Sequence, residues 1–272
     1  TNGTKALDNS ADCNAFGGIV GMIYGGMTNS PAKAYIPEIV SCVNKGTVSS
    51  YAGAVGGIAG LIYDWGKVGG TENANCINEG EVKLLGTSAG YAGGIVGYFH
   101  QVDATNTEMS CTYSANKGAV SGNKYIGGIV GYSTSTIVDN IANCVSLGSV
   151  EGTIETGTKD AKFNGFVGGI AGSTASSIIN SQVYAAVKGV YYSNIGMITG
   201  SERVAGTVVA KDCQVGGSIS IDHDEEDEST KSINIDGDNY HNYIFGNIAG
   251  VDWSGTDNYD GCTFLESKPT IQ

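Results

Sequence analysis

A five-residue pattern, G-G-I-[VA]-G, recurs along almost the whole chain. It occupies residues 17–21, 56–60, 93–97, 127–131 and 168–172, with looser copies G-M-I-T-G at 196–200 and G-N-I-A-G at 246–250. Five strict copies and two degenerate ones are not chance. A recurrence on this scale marks stacked repeats, each too small to bury its own apolar face. Between successive copies runs a second segment, C-x-N-x-G-x-V. It is complete at 42–48 and 76–82, and serine replaces the cysteine at 114–120. It then decays: 144–150 has Ser146 for the asparagine, 181–187 keeps only the ends, 213–219 reads C-Q-V-G-G-S-I, and Cys262 opens one more copy. The spacing between first glycines runs from 28 residues (Gly168 to Gly196) to 50 (Gly196 to Gly246), so the loops vary while the repeated segments stay.

Both segments read as short β-strands. The two or three glycines in each copy of the glycine segment would cost up to ~1 kcal/mol per position in a helix. The residues between them are Val, Ile, Ala, Tyr, Ser and Thr, which suit pleated sheets. Side chains two apart share a strand face. Cys42, Asn44, Gly46 and Val48 therefore point inward, and the charged Lys45, Glu79 and Lys117 mark the outward positions of three successive copies. In the glycine segment Ile19, Ile58, Ile95, Ile129, Ile170, Ile198 and Ile248 hold the one unvarying position and are the predicted core. An apolar residue also precedes each first glycine (Phe16, Val55, Ala92, Ile126, Val167, Ile195, Phe245), so both parities are apolar. A bend at the glycine pair reconciles the two.

The fold expected is all-β, a parallel β-helix or solenoid of about six coils with variable loop insertions, ~30 Å long at the spacing of paired strands. It is read as one domain over residues 1–272. The repeats run from about 16 to 250, with an acidic insertion at 220–243 and divergent ends at 1–15 and 251–272.

With 43 Gly, only 3 Pro and 41% hydrophobic residues, the chain has material for a core and no collagen-like period. The net charge of -13 and the single arginine, Arg203, argue against nucleic acid and against guanidinium-based recognition of anions. No apolar run reaches the ~20 residues of a membrane-spanning helix, and the first residues, TNGTKALDNS, lack the basic and apolar regions of a signal peptide.

The alternation of C-x-N-x-G-x-V with G-G-I-V-G-Y resembles the GLUG-type repeats of bacterial surface proteins. It covers roughly residues 16–250 and is closest at 92–98, 116–132 and 144–172, where Tyr98 and Tyr132 supply the final tyrosine. The resemblance implies a β-helical, secreted or surface-anchored protein of the adhesin type, at work outside the cell, and no catalytic residue. Such repeats also accompany the peptidase unit of some immunoglobulin-cleaving metalloproteases. This chain has no H-E-x-x-H segment, and His100, His223 and His241 are far apart in sequence.

Candidate chemistry is sparse. Cys42, Cys76, Cys144, Cys213 and Cys262 share one repeat position with Ser114 and Ser181, which predicts an inward ladder of free thiols acting as small hydrophobes. Cys13 and Cys111 fall outside that register. Residues 86–90 spell G-x-S-x-G around Ser88, but in a loop between repeat segments, without the strand-turn-helix a nucleophile elbow needs. The acidic run at 222–228 precedes Asp236, Gly237 and Asp238, whose alternate carboxylates are the expected ligands if Ca²⁺ binds, although the spacing is not that of an EF-hand. A solvated acidic loop is the plainer reading. Rings that stack on sugars are the remaining candidates: Trp65 and Trp253 in variable loops, and Tyr98 and Tyr132 beside the glycine segments, where a tyrosine ladder is the structural alternative. The function expected is that of a non-enzymatic cell-surface solenoid, adhesin-like or holding another domain away from the cell, with an unidentified surface glycan or protein as partner. A carbohydrate-binding module, or a polysaccharide lyase or glycosidase on a β-helix, is the alternative.

Overall fold

The structure is a computed structural model that describes residues 14–29, 32–86, 90–103, 105–137, 140–153, 165–190, 193–202, 210–222, 244–246, 259–260, 262–265 and 269. It is a parallel β-solenoid. Each turn of chain contributes to four sheets, named here by their place in the coil.

The strand leading into the glycine pair lies in a seven-stranded entry sheet: Ala15–Gly17, Gly53–Gly56, Gly90–Gly93, Tyr125–Gly127, Gly165–Gly168, Ser193–Gly196 and Ile244–Gly246. The strand leaving it lies in a six-stranded exit sheet: Val20–Tyr24, Ala59–Tyr63, Val96–His100, Val130–Ser133, Ala171–Thr174 and Thr199–Glu202. A seven-stranded return sheet of very short strands follows, from Glu38–Ile39 through Lys67–Val68, Ser110–Thr112, Ile141–Ala142, Ile178–Ile179 and Ala210–Lys211 to Tyr259–Asp260. The C-x-N-x-G-x-V segments form the fourth, the asparagine sheet. Every strand of these sheets pairs in parallel with the equivalent strand of the next coil: Val55 lies beside Ala92, Ala92 beside Ile126, and Ile126 beside Val167. The expected pair of strands per repeat is thus incomplete, because the return strand carries too little pattern to be read from sequence.

The glycine pair is a corner, as the double parity required. Val55, Ala92, Ile126, Val167 and Ile195 before it and Ile58, Ile95, Ile129, Ile170 and Ile198 after it are all buried in one core. Each isoleucine so buried contributes ~1.5–3 kcal/mol. Ile19 departs from the expectation. It is 45% exposed, because it lies in the first coil with no described coil over it. Ile248 lies outside the described residues.

The three glycines of the pattern have three separate reasons. A Cβ on the first would lie 1.9 Å from the carbonyl three residues on, as at Gly56 against Ala59. On the third it would strike the entry strand of the preceding coil, as at Gly97, 2.6 Å from Val55 N. On the second it would strike the inward residue of the asparagine sheet: Gly57 at 2.3 Å from Asn78 Cγ, and Gly94 at 2.3 Å from Asn116 Cγ. The two sequence segments therefore occur together because each fills the space the other leaves across the coil.

The asparagine sheet follows the predicted register. Cys76, Asn78, Gly80 and Val82 are buried, while Val43, Lys45, Glu79 and Glu81 are exposed. Outside, Glu79 bridges Lys45 at 3.8 Å and Lys117 at 3.4 Å. Inside, Asn44 Nδ2 donates to Asn78 Oδ1 at 2.7 Å, and Asn78 Nδ2 to Asn116 Oδ1 at 2.8 Å. Each of these amides also donates to the carbonyl two residues on, that of Gly46, Gly80 or Gly118, and so holds a bend between two short strands. Where Val183 replaces the asparagine the bend is gone, and Gln182–Val190 runs straight as one nine-residue strand. The corner between return and asparagine sheets turns on one residue with positive φ, namely Ser41, Tyr113, Asn143, Asn180 or Asp212. The second coil instead inserts a 3-10 turn at Glu72–Ala74.

Candidate functional site

The loops vary most at two corners. One lies between exit and return strands and ranges from residues 64–66 to 25–37, the latter containing the antiparallel hairpin Gly26–Asn29 and Ala32–Tyr35. The other lies between asparagine and entry strands and ranges from residues 51–52 to 223–243. Of the side chains singled out for binding, the described ones, Trp65, Tyr98 and Tyr132, belong to these corners or to the exit strands that lead to them.

Tyr98 and Tyr132 occupy one register position of the exit sheet. Both are 6% exposed and form a small cluster apart from the main core, with Leu61 and Ala54, flanked by Tyr91, Tyr125 and Tyr63. Tyr91 stacks on Tyr98 and Tyr125 packs on Tyr132, each at 4.5 Å between ring centroids across the glycine corner. Along the axis, Tyr98 to Tyr132 is 5.3 Å, Tyr125 to Phe166 5.2 Å and Tyr24 to Tyr63 5.4 Å, and within one exit strand Tyr98 to His100 is 5.1 Å. This is the tyrosine ladder. Its rings spend their faces on one another, each such contact contributing ~0.5–1.5 kcal/mol. A sugar stacking on Tyr98 or Tyr132 would have to displace a neighbour. Tyr24, at 61% exposure, holds the outer end of the band.

Trp65 is not an exposed loop ring: it is 6% exposed, packed where Gly25 approaches its backbone carbonyl. The tight Tyr63-to-Lys67 connection turns it inward, with Asp64 beside it at φ 55°. Asp64 organises the next coil's loop. Its Oδ1 accepts from Val102 N at 2.5 Å and Asp103 N at 2.8 Å, and its carbonyl accepts from Asn106 Nδ2 at 2.7 Å. Thr105 donates its N–H and hydroxyl to Asp103 Oδ1, which holds the Asp103 carboxyl below the usual range. The arrangement pins a loop and leaves no open ring face. Trp253, Asp236, Asp238, Ser88 and Cys13 lie outside the described residues.

The thiols follow the ladder and extend it. Cys76, Cys144 and Cys213 are buried, and Cys42 and Cys262 are half-buried towards the two ends of the row. Cys111, outside that register in the sequence, is also buried. It faces the core from the return sheet, in register with Val68 and Ile141. All six are free. Burial pushes the Cys76 thiol up and the Cys213 thiol up to about 12. A hydrogen bond with Cys144, then burial, raises Cys111. Thiols so held are poor nucleophiles. Among the described residues no group of three or more His, Cys, Asp or Glu side chains is placed to hold a metal ion. Among them, too, no helix is long and apolar enough to cross a membrane, which says nothing of a β-barrel.

No family model matches the sequence, and no curated protein does. A solved structure described as a "putative immunoglobulin A1 protease" from Bacteroides ovatus is similar, with a TM-score of 0.52 at 20% identity. The match covers 80% of this chain and 61% of that one, so this chain spans less than two thirds of the other's length. At that identity the likeness concerns the fold.

Proposed function

We propose that this chain is a non-enzymatic protein of a bacterial cell surface, an adhesin-like scaffold that displays loops from a stiff solenoid. The observation that carries this reading is the division of labour between corners. The glycine corner is held nearly constant by close backbone approach, while two other corners accept insertions of very different length. A scaffold that tolerates loops at fixed positions suits display. The inward asparagines and most of the thiols are buried between coils, which leaves recognition to the loops.

The enzyme reading, whether a glycan-cleaving solenoid or a protease like the one named for the similar structure, is the alternative. One set of assays separates them. Beads coated with the chain are expected to adhere to host or bacterial cells above uncoated beads, while incubation with polysaccharides releases no reducing sugar and incubation with immunoglobulin A1 yields no fragments. Turnover in either assay would replace the scaffold with an enzyme. Retention on a glycan array without turnover would favour a carbohydrate-binding module, and beads that do not adhere would remove the adhesive role.

A further inference from the structure

Cys111 is the described cysteine that the repeat leaves unexplained. Its equivalents along the return sheet are Ile39, Val68, Ile141, Ile178 and Ala210, so nothing in the coil pattern calls for a thiol there. The reason lies in the neighbouring sheet. The register of the asparagine strands sets Cys42 beside Cys76, then Ser114, Cys144 and Ser181 in turn, and then Cys213 beside Cys262. The two serines thus cut the row into two adjacent thiol pairs and a single cysteine. That single cysteine, Cys144, is where Cys111 comes in from the return sheet. Cys144 Sγ donates to Cys111 O at 3.4 Å, and the two thiols are hydrogen-bonded to each other. Thiol hydrogen bonds also join Cys76 to Cys42 and Cys213 to Cys262. Cys76 affects Cys111 less than Cys144 does, and through charge alone. The six described thiols therefore form three neighbouring pairs with none left over.

We propose that these pairs are sites of cystine formation, Cys42 with Cys76, Cys111 with Cys144 and Cys213 with Cys262, and that each bond staples one coil to the next. In the two register pairs the ~4.8 Å between paired strands lies within the ~4.4–6.8 Å that a cystine spans between its Cα atoms. At that spacing the Cβ atoms stand slightly beyond the usual ~3.5–4.5 Å, so these two bonds are strained and easily reduced. The oxidant is a donor disulfide. One cysteine thiolate attacks it and expels a donor thiolate; the partner thiolate then attacks the protein sulfur of the mixed disulfide and expels the second. The two protein thiol protons end on the two donor thiols, and the two electrons the pair gives up reduce the donor's S–S bond. Burial keeps the thiols of a finished coil protonated, so exchange belongs to the stage before the coils close. The presence of the bonds in the living cell rests on the surface reading above, because secreted chains meet such oxidants. The pairing itself rests on register and thiol contacts alone.

To test this, the full chain is reduced, unfolded and refolded in a glutathione redox buffer. Remaining thiols are blocked in denaturant and cross-linked peptides are mapped by mass spectrometry. Of the seven cysteines only Cys13 should stay unpaired, with a mass loss of about 6 Da for three cystines and only the three named pairs in the map. Chain exported into the oxidising compartment of an expression host should give the same map without refolding. Cys111→Ser should leave Cys144 unpaired and the other two bonds intact, because serines flank Cys144 in its row. Ser114→Cys should divide Cys76 between two partners. More than one unpaired cysteine in both preparations of the wild-type chain, or partners other than those named, overturns the proposal. So does a Cys144 that finds another partner in Cys111→Ser. None of these outcomes bears on whether coated beads adhere to cells, so the pairing and the adhesive reading fail separately.

Discussion

Cys213 shows how a single buried group ties this fold to pH. Its thiol titrates at about 12 in the folded chain because burial disfavours the thiolate, against 9.0 for the unperturbed group. Below pH 9 both folded and unfolded chains keep the proton, and the contribution to stability is whole. Between pH 9 and about 12 the unfolded chain loses the proton first, so stability falls as pH rises, by up to about 1.4 kcal/mol per pH unit. Thermal melts of wild type and Cys213→Ser in reductant at pH 8 to 11 should show a shallower decline for the variant; parallel curves would remove the thiol from the account. The inward direction of this residue was legible in the sequence, because cysteine and serine alternate at one repeat position. Cys111 was not, because its register belongs to a strand of three residues whose neighbours, Val68 and Ile141, share no residue type with it.

The asparagine row is the element whose sequence and structure agree best. Asn78 makes two donor bonds and accepts from Asn44 and from Gly80 N, all out of contact with water. Removing it strands those partners, so Asn78→Ala should cost ~2–4 kcal/mol. The row stops at Ser146, whose Oγ lies buried without a partner, although Gly148 and the cross-coil Gly128 that an asparagine needs are both in place. Ser146→Asn should extend the row by one rung and raise stability by ~0.5–1.5 kcal/mol. Urea unfolding of both variants checks the pair, and a destabilised Ser146→Asn would show that a further restraint ends the row. The face pattern of this sheet could be read by counting alternate residues. The exit strands' tyrosines could be counted too, but their mutual stacking depends on how the glycine corner folds the two sheets together, which spacing alone does not express. Trp65 misled for a related reason: a short connection between two strands looks like a surface loop in sequence, yet here it turns its largest side chain inward.

For the molecule as a whole, repetition made the architecture readable and hid its exceptions. The interior coils repeat their residues because each meets the same neighbours, and the first described coil repeats them with no described coil over it. Ile19 was therefore assigned to the core on the strength of its equivalents, and only the stacking order shows why it is 45% exposed among the described residues. The coil-to-coil bonds at the glycine corner all run one way, from Gly18, Gly57, Gly94, Gly128 and Gly169 N–H to a carbonyl of the following coil. They lie along the axis, while the covalent chain winds around it. A solenoid pulled by its two ends is under tension along that axis, and the load then falls on one junction at a time. Yielding should be stepwise, each released coil such as Gly56 to Gly93 letting out about 120 Å of chain, which a single-molecule pulling trace would record as a sawtooth and a single abrupt rupture would contradict. Such a molecule dissipates a pull in instalments, giving up length one coil at a time where a rigid rod would break at once.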